Sequence, residues 1–146
     1  MPLITGITMQ EQEKALRRPE AVDALCAELR SLGARRVILL GIPAAMQESF
    51  LKAPLAKAGI MVLTPPAEGR AWLEKIVEQE LKKGIIAEET KAAFEALVAD
   101  GAEHGVDHLV IASVELMGLV SACSLELPTV DALRTGDAGL ALRRNH

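Results

Sequence analysis

The sequence predicts an α/β protein, a three-layer sandwich in which helices cover both faces of a mainly parallel four-stranded sheet. Short aliphatic runs alternate with longer amphipathic segments along the 146 residues. Aromatic residues make up only 2% of the chain, so the core must consist of Leu, Val, Ile, Ala and Met. Aliphatic cores of this kind are typical of parallel sheets that are buried by helices on both sides.

The first third of the chain predicts a helical segment followed by a buried strand. Apolar residues recur at helical spacing up to Gly33, which ends a helical segment expected over about 9–32. Residues 36–41 are almost entirely aliphatic, which is typical of a strand covered on both faces. Residues 3–4 are a candidate for the end of an earlier short strand.

The rest of the chain predicts further helices that alternate with three strands. The expected elements are a helix over 44–58, a strand at 60–63, a helix over 68–83, a helix over 87–103, a strand at 109–112, a helical turn at 117–122, a strand at 129–130 and a C-terminal helix over about 132–142. Pro54 should kink or weaken the first of these helices, because proline lacks an N–H and clashes with the preceding turn. No linker or repeat separates the elements, so we expect a single domain over residues 1–146.

Composition and charge exclude several classes of protein. Sixteen basic and twenty acidic residues give a net charge of −4, without the basic patch of a nucleic-acid-binding protein. No apolar run approaches the roughly 20 residues that span a membrane, and the N-terminus lacks the features of a signal peptide. Cys26 and Cys123 form no close-spaced motif, so we expect no metal site and a reduced, cytoplasmic setting.

Two predicted strand ends carry the residues of greatest functional interest. Ser113 and Glu115 follow the strand at 109–112, and a Gly-Ile-Pro turn at 41–43 follows the strand at 36–41. Ligands of α/β proteins bind at the carboxyl ends of strands, where helix N-termini can hold a carboxylate or a phosphate. Many α/β domains have such turns without a ligand, so the turns alone leave both interpretations open.

A series of motifs in fixed order resembles the second lobe of the aspartate/glutamate racemases. The motifs are Gly-Ile-Pro-Ala-Ala-Met at 41–46, Lys-Ala-Gly-Ile-Met-Val at 57–62, Glu-Leu-Lys-Lys-Gly-Ile at 80–85, Glu-Glu-Thr-Lys at 88–91, Gly-Val-Asp at 105–107, Leu-Val-Ile-Ala-Ser-Val-Glu-Leu at 109–116 and Leu-Pro-Thr-Val-Asp at 127–131. The resemblance covers about Leu32 to Asp131. It implies a cofactor-independent amino-acid racemase in which two lobes enclose the substrate and each lobe supplies one cysteine, so that the pair act as acid and base.

The chain departs from the family's pattern at the residues that would perform this chemistry. We expect the first lobe, with its cysteine, to be missing. Ser113 stands where the second lobe has its catalytic cysteine, and Val114 replaces a threonine. The loop at 41–46 lacks both threonines that hold the substrate carboxylate in the family. The sequence pattern therefore indicates the ancestry of the chain, but most of the side chains that perform the ancestral reaction are absent from it.

The resemblance assigns the candidate site residues. Ser113 and Glu115 occupy the catalytic positions, where Glu115 could bind a substrate amino group or cap the following turn. The residues implied in substrate binding are Gly41, Ile42, Ala45, Met46 and Val114. A serine without an adjacent histidine or lysine is not an activated base. His104 and His108 are expected to be capping or solvated residues rather than its partners. Cys123 is either a repositioned catalytic thiol or a structural one.

Three hypotheses for the function follow. The first is a racemase that needs a partner lobe, supplied by a second copy in a homodimer or by another chain. The second is a non-catalytic relative that binds a small dicarboxylic amino acid, a related carboxylate or a protein partner. The third is a one-cysteine decarboxylase or isomerase, which would depend on Cys123. From the residues we favour the second hypothesis and expect the isolated chain to be inactive as an enzyme.

Overall fold

The computed structural model describes residues 7–136 and is built around a four-stranded parallel sheet. The strands are β1 (Arg36–Gly41), β2 (Met61–Leu63), β3 (His108–Ala112) and β4 (Thr129–Asp131). They lie in the order β2-β1-β3-β4, with helices in the connections between them. The predicted α/β class and the four-stranded sheet are confirmed, and the described sheet is parallel throughout.

Eight α-helices surround the sheet within the described residues. They are α1 (Met9–Arg17), α2 (Pro19–Ser31), α3 (Pro43–Gln47), α4 (Lys52–Lys57), α5 (Ala67–Gln79), α6 (Glu88–Glu103), α7 (Val114–Ala122) and α8 (Ala132–Gly136), and a 3₁₀ turn at Leu81–Lys83 follows α5. None of these helices is both long enough and apolar enough to cross a bilayer.

Each face of the sheet packs into its own hydrophobic cluster. Val37 and Leu39 of β1 pack into a cluster with α1, α2, α4 and α8, whereas Ile38 and Leu40 pack with α5, α6 and α7. Successive side chains of a strand point to opposite faces, so a strand buried on both sides must be apolar at every position. This two-sided burial explains why β1 and β3 read as unbroken aliphatic runs.

The central strand pair determines which loops meet at the carboxyl edge of the sheet. β1 and β3 pair in register from Val37 opposite His108 to Gly41 opposite Ala112. A Cβ atom placed on Gly41 would lie 2.6 Å from the carbonyl oxygen of Ala112, closer than packed atoms allow. Glycine at this position therefore lets the two strand ends, and the turns that follow them, approach each other closely.

The prediction of one kinked helix over 44–58 is wrong, because two short helices occupy that segment. α3 ends at Gln47, and α4 begins at Lys52. Pro54 lies in the first turn of α4, where backbone N–H groups have no partner within the helix, so the missing N–H costs little. The chain therefore breaks before the proline rather than at it.

Two further boundaries differ from the prediction. The helix expected over 68–83 ends as an α-helix at Gln79 and continues as the 3₁₀ turn, which Gly84 terminates at a φ of 74°. The turn expected at 117–122 is a longer helix, α7, that starts at Val114. The expected strand end at residues 3–4 and the continuation of the C-terminal helix beyond Gly136 lie outside the described residues.

Candidate functional site

A cavity of about 260 Å³ lies at the carboxyl edge of the sheet, beyond the ends of β1 and β3. Its walls come from residues 7–10 and Gln12, the junction between β1 and α3, the inner side of α5, the 3₁₀ turn and the junction between β3 and α7. Pockets for drug-sized ligands measure roughly 300–1,000 Å³. The size of the cavity therefore suits a small metabolite rather than a large cofactor.

Most of the residues that the sequence analysis grouped at this edge line the cavity. They are Gly41, Ile42, Met46, Ser113 and Glu115. Ala45 instead lies fully buried in the hydrophobic cluster on the α1–α2 side of the sheet. The Val114 side chain exposes 41% of its surface and does not line the cavity, although its backbone N–H faces this region.

Ser113 acts as the N-cap of α7. Its side chain is buried, and its Oγ accepts a hydrogen bond from the Leu116 N–H at 3.1 Å. The same hydroxyl donates to Glu115 Oε1 at 3.4 Å. Serine is among the preferred N-cap residues because its oxygen satisfies an N–H that the helix leaves unpaired. The hydroxyl is thus committed to holding the start of α7.

Neither described histidine lies close enough to activate Ser113. His108 opens β3 at the opposite edge of the sheet, about 16 Å from Ser113 at the usual rise of a strand. Its Nδ1 is 2.7 Å from an Asp107 carboxylate oxygen. His104 ends α6, with Nδ1 2.8 Å from the Asp100 carbonyl oxygen. Both imidazoles make structural contacts at the end of the sheet where its strands begin, away from Ser113.

Gln12 of α1 is one of the site residues that sequence reasoning missed, and charged residues of α5 and the 3₁₀ turn are others. Only 1% of it is exposed, and its Oε1 accepts a hydrogen bond from the Val114 N–H at 3.0 Å. Its Nε2 donates to Glu115 Oε1 at 3.2 Å and to the Ile7 carbonyl oxygen at 3.3 Å. Gln12 lies four residues before Leu16 and so shares its helix face, which is the one signal that could have revealed it.

Acidic side chains dominate the charge of the cavity. Among the residues that the structure describes, Glu74, Glu78 and Glu115 line it together with one cation, Lys82. Lys82 Nζ lies 2.7 Å from Glu78 Oε2, and this hydrogen bond raises the pKa of Lys82. Among the described lining residues, three carboxylates thus share one cation, so the cavity favours ligand groups that carry N–H donors. Within residues 7–136, no three His, Cys, Asp or Glu side chains are grouped closely enough to hold a metal ion.

A second cavity of about 230 Å³ adjoins the first. The two share Pro43, Met46 and Glu74 in their walls. Arg70 lines the second cavity, where its guanidinium donates to the Pro65 carbonyl oxygen at 3.0 Å. Its buried Nε has no hydrogen-bond partner among the described residues. A positive group thus stands next to the acidic cavity.

No protein-family model matches this sequence, but solved structures do. An Asp/Glu racemase homologue from Yersinia pestis superimposes on 86% of this chain with a TM-score of 0.74 and 26% identity. The fold is that of the Asp/Glu racemase homologues. An aspartate racemase homologue from Pyrococcus horikoshii OT3 covers the same share with a TM-score of 0.75 and 23% identity, which shows the fold alone.

The racemase-like fold extends over only part of these homologues. This chain covers 55% of the length of either matched structure. The resemblance predicted from the ordered motifs is confirmed at the level of the fold. Because barely more than half of either homologue is represented, the activity of a whole racemase does not transfer to this chain directly.

The two thiols of this racemase-like chain lie away from the cavity. Cys123 follows α7, about 15 Å along the helix from Ser113 at the usual helical rise. Burial, followed by the Glu95 carboxylate, raises the pKa of the Cys123 thiol, whose Sγ lies 3.9 Å from the Lys91 carbonyl oxygen. Burial likewise raises the pKa of Cys26, which packs against the cluster on the α2 side. Raised pKa values keep thiols protonated and unreactive.

Proposed function

We propose that this chain is a racemase-fold binding domain that holds a small amino acid or amine without racemising it. The observation that carries the proposal is the state of Ser113. At the strand end where the resemblance places a catalytic cysteine, the side chain is a buried helix cap. Inverting an α-carbon requires one group to remove a proton and another to return it on the opposite face. Among residues 7–136, those that line the cavity include neither a cysteine nor a histidine.

The charge distribution supports an amino acid or amine as the ligand. An ammonium group would be attracted to the carboxylates of Glu74 and Glu115 in the first cavity. A ligand carboxylate directed into the second cavity would meet Arg70. A second ligand carboxylate, as in aspartate or glutamate, would approach the acidic walls, where Lys82 is already bonded to Glu78. We therefore propose that amino acids with neutral side chains bind more tightly than dicarboxylic ones.

The expected loss of catalysis is large. Removing one positioned acid or base typically lowers a rate by about 10²–10⁴-fold. The test is proton–deuterium exchange at the α-carbon of the L- and D-forms of aspartate, glutamate and alanine in D₂O, followed by NMR. We expect no protein-dependent incorporation of deuterium. Incorporation that survives Ser113→Ala and disappears in Cys123→Ser would refute this proposal and identify Cys123 as the acid–base group.

Binding is tested separately by thermal shift with the same amino acids. A ligand present at 100 times its Kd stabilises a protein by about 2.7 kcal/mol. We expect alanine or a small amine to raise the melting temperature more than aspartate does. Arg70→Gln should reduce the shift produced by alanine and leave the shift produced by methylamine unchanged. Equal shifts in both proteins would contradict the proposed position of the ligand carboxylate.

The runner-up is a racemase that is completed by a partner lobe. The observation that favours it is the 55% coverage of the homologues, which leaves nearly half of their length unmatched by this chain. If a second copy supplied the opposite face, α-proton exchange would rise with the square of the protein concentration as dimers formed. Light scattering at the same concentrations would show the dimer. The one-cysteine alternative would require Cys123, which lies at the far end of α7.

A further inference from the structure

We propose that the second cavity, of about 230 Å³, is a binding site for a free oxyanion such as inorganic phosphate, with Arg70 as its main ligand. The inference goes beyond the proposed function, because the anion binds there without an amino group. The same chemistry suits the carboxylate of an amino acid, so phosphate competes with an amino acid but not with an amine. This competition, unlike the site itself, rests on the proposed function.

The side-chain nitrogen Nε of Arg70 is the observation that points to a ligand. This atom is buried and has no hydrogen-bond partner among the described residues. Buried donors without a partner are rare in folded proteins, and such a donor is paired once an ion, a ligand or an ordered water reaches it. The neighbouring Nη1 donates to the Pro65 carbonyl oxygen at 3.0 Å. That bond holds one side of the guanidinium and leaves the Nε edge without an acceptor.

The shape of a guanidinium selects an oxyanion over other partners. Its N–H groups lie in one plane and form a fork that matches two oxygens of a phosphate or a carboxylate. Arg70 lines the cavity, so an anion there meets its side chain directly. Because Nε is shielded from solvent, a small rotation of the guanidinium completes the fork as the anion arrives. A chloride ion has no second oxygen for the fork.

The charges around this cavity are more positive than those around the first. Lys52 Nζ donates at 2.7 Å to the carbonyl oxygen of Met46, a residue of the wall. Ala67, also in the wall, is the first residue of α5, where N–H groups have no partner within the helix and the helix dipole is positive. Opposing charges are the Glu74 carboxylate in the wall and Glu68, which is exposed in the same turn. The first cavity has three carboxylates and one lysine among its described lining residues.

The test is a phosphate titration at constant ionic strength, followed through the arginine Nε–Hε cross-peaks in ¹⁵N–¹H NMR spectra. The Arg70 cross-peak is assigned by its disappearance in Arg70→Lys. We expect this cross-peak to shift saturably downfield with phosphate, because a buried donor gains an acceptor, and to stay in place with sodium chloride. Arg30 is exposed near the end of α2, so its cross-peak reports nonspecific effects of the salt.

Two matched substitutions measure the contribution of the fork, with the Ala67 amide cross-peak as the readout. Arg70→Lys keeps the positive charge but loses the planar fork, so we expect the Kd for phosphate to rise by about tenfold or more. Arg30→Lys makes the same change at an exposed position and should leave the Kd unchanged. If Arg70→Lys does not fold, the Arg70 cross-peak is assigned through its bonds to the backbone, and the wild-type titration alone decides.

Competition separates the two sources of oxyanion. Phosphate should weaken the binding of alanine to the wild type and leave that of methylamine unchanged, because only alanine brings a carboxylate to Arg70. If phosphate displaces methylamine as well, the two cavities do not act separately and the inference fails. If alanine shifts the Arg70 cross-peak but phosphate does not, Arg70 serves the amino acid alone and the site for a free oxyanion is refuted.

The remaining outcomes distinguish this inference from the proposed function. An Arg70 cross-peak that shifts no more than that of Arg30 would refute the oxyanion site and assign an ordered water to Nε. That result would leave the binding of methylamine, and with it the acidic cavity of the proposed function, intact. If phosphate shifts the Arg70 cross-peak while alanine and methylamine fail to bind, the oxyanion site stands and the proposed function fails.

Discussion

Replacing Ser113 by alanine tests whether its hydroxyl is a structural cap. The substitution removes the oxygen that accepts from the Leu116 N–H at 3.1 Å and the donor to Glu115. Loss of a serine N-cap typically costs about 0.5–2 kcal/mol. An unsatisfied buried donor costs about 1–3 kcal/mol. These two estimates describe the same N–H and do not add, so we expect a loss of about 1.5 kcal/mol in the free energy of unfolding.

The matched control is Ser121→Ala in the same helix. Ser121 is exposed, and its Oγ donates to the Met117 carbonyl oxygen one turn earlier. Alanine has the higher helix propensity, so we expect this control to be neutral or slightly stabilising. Urea unfolding measures both variants, with an unchanged m-value showing that the stability has changed and not the compactness of either state. If Ser113→Ala is as stable as Ser121→Ala, the hydroxyl is not a cap and our account of this strand end fails.

Three further predictions test the structure of the strands and helices around the site. Gly41→Ala should destabilise the fold by about 1–3 kcal/mol, the usual cost of overpacking a core, because the new Cβ meets the Ala112 backbone. Urea unfolding identical to that of the wild type would contradict the close approach of β1 and β3. Gly118→Ala should stabilise it by about 0.5–1 kcal/mol, since this exposed helical glycine has open space around it, and a lower melting temperature would count against the helix. For Asp107, burial acts to raise the pKa, but hydrogen bonds from His108 and from the backbone N–H groups of Arg35 and Arg36 outweigh it, so the pKa is lowered. A carboxyl group whose pKa is lowered in the folded protein stabilises the fold at pH values above its unfolded pKa of about 3.9. This stabilisation is lost as the pH falls through the pKa of the folded protein. Asp107→Ala should therefore be less stable than the wild type at pH 7, with a deficit that narrows below about pH 4; an equal deficit at pH 7 and pH 3 in thermal unfolding would contradict this.

The parallel sheet could be predicted because the hydrophobic pattern that identifies each strand lies within a short stretch of sequence. Strands buried on both faces must be apolar along their buried length, and β1 and β3 are apolar after their first residues, Arg36 and His108. The same argument placed Ser113 at a strand end. It could not show that Ser113 caps α7, because helical periodicity alone did not reveal that the helix starts at Val114.

The contacts of the site could not be predicted because they join distant parts of the chain. Gln12 lies in a segment that reads as a charged, solvated helix, yet its partners are more than 100 positions away. Ala45 and Met46 are neighbours in the sequence, but they pack on opposite faces of the sheet, and only Met46 lines the cavity. Which side a short helix presents to a cavity depends on the elements packed against it, which local sequence does not encode.

The most direct test of the central claim combines binding and exchange in one NMR sample. Alanine is incubated with the protein in D₂O, and saturation-transfer signals report binding while the α-proton signal reports exchange. Our account predicts a saturable transfer signal that a small amine displaces, with the α-proton intensity unchanged over the incubation. Loss of the α-proton signal in proportion to the protein concentration would show that the chain retains an acid–base pair and would contradict the account.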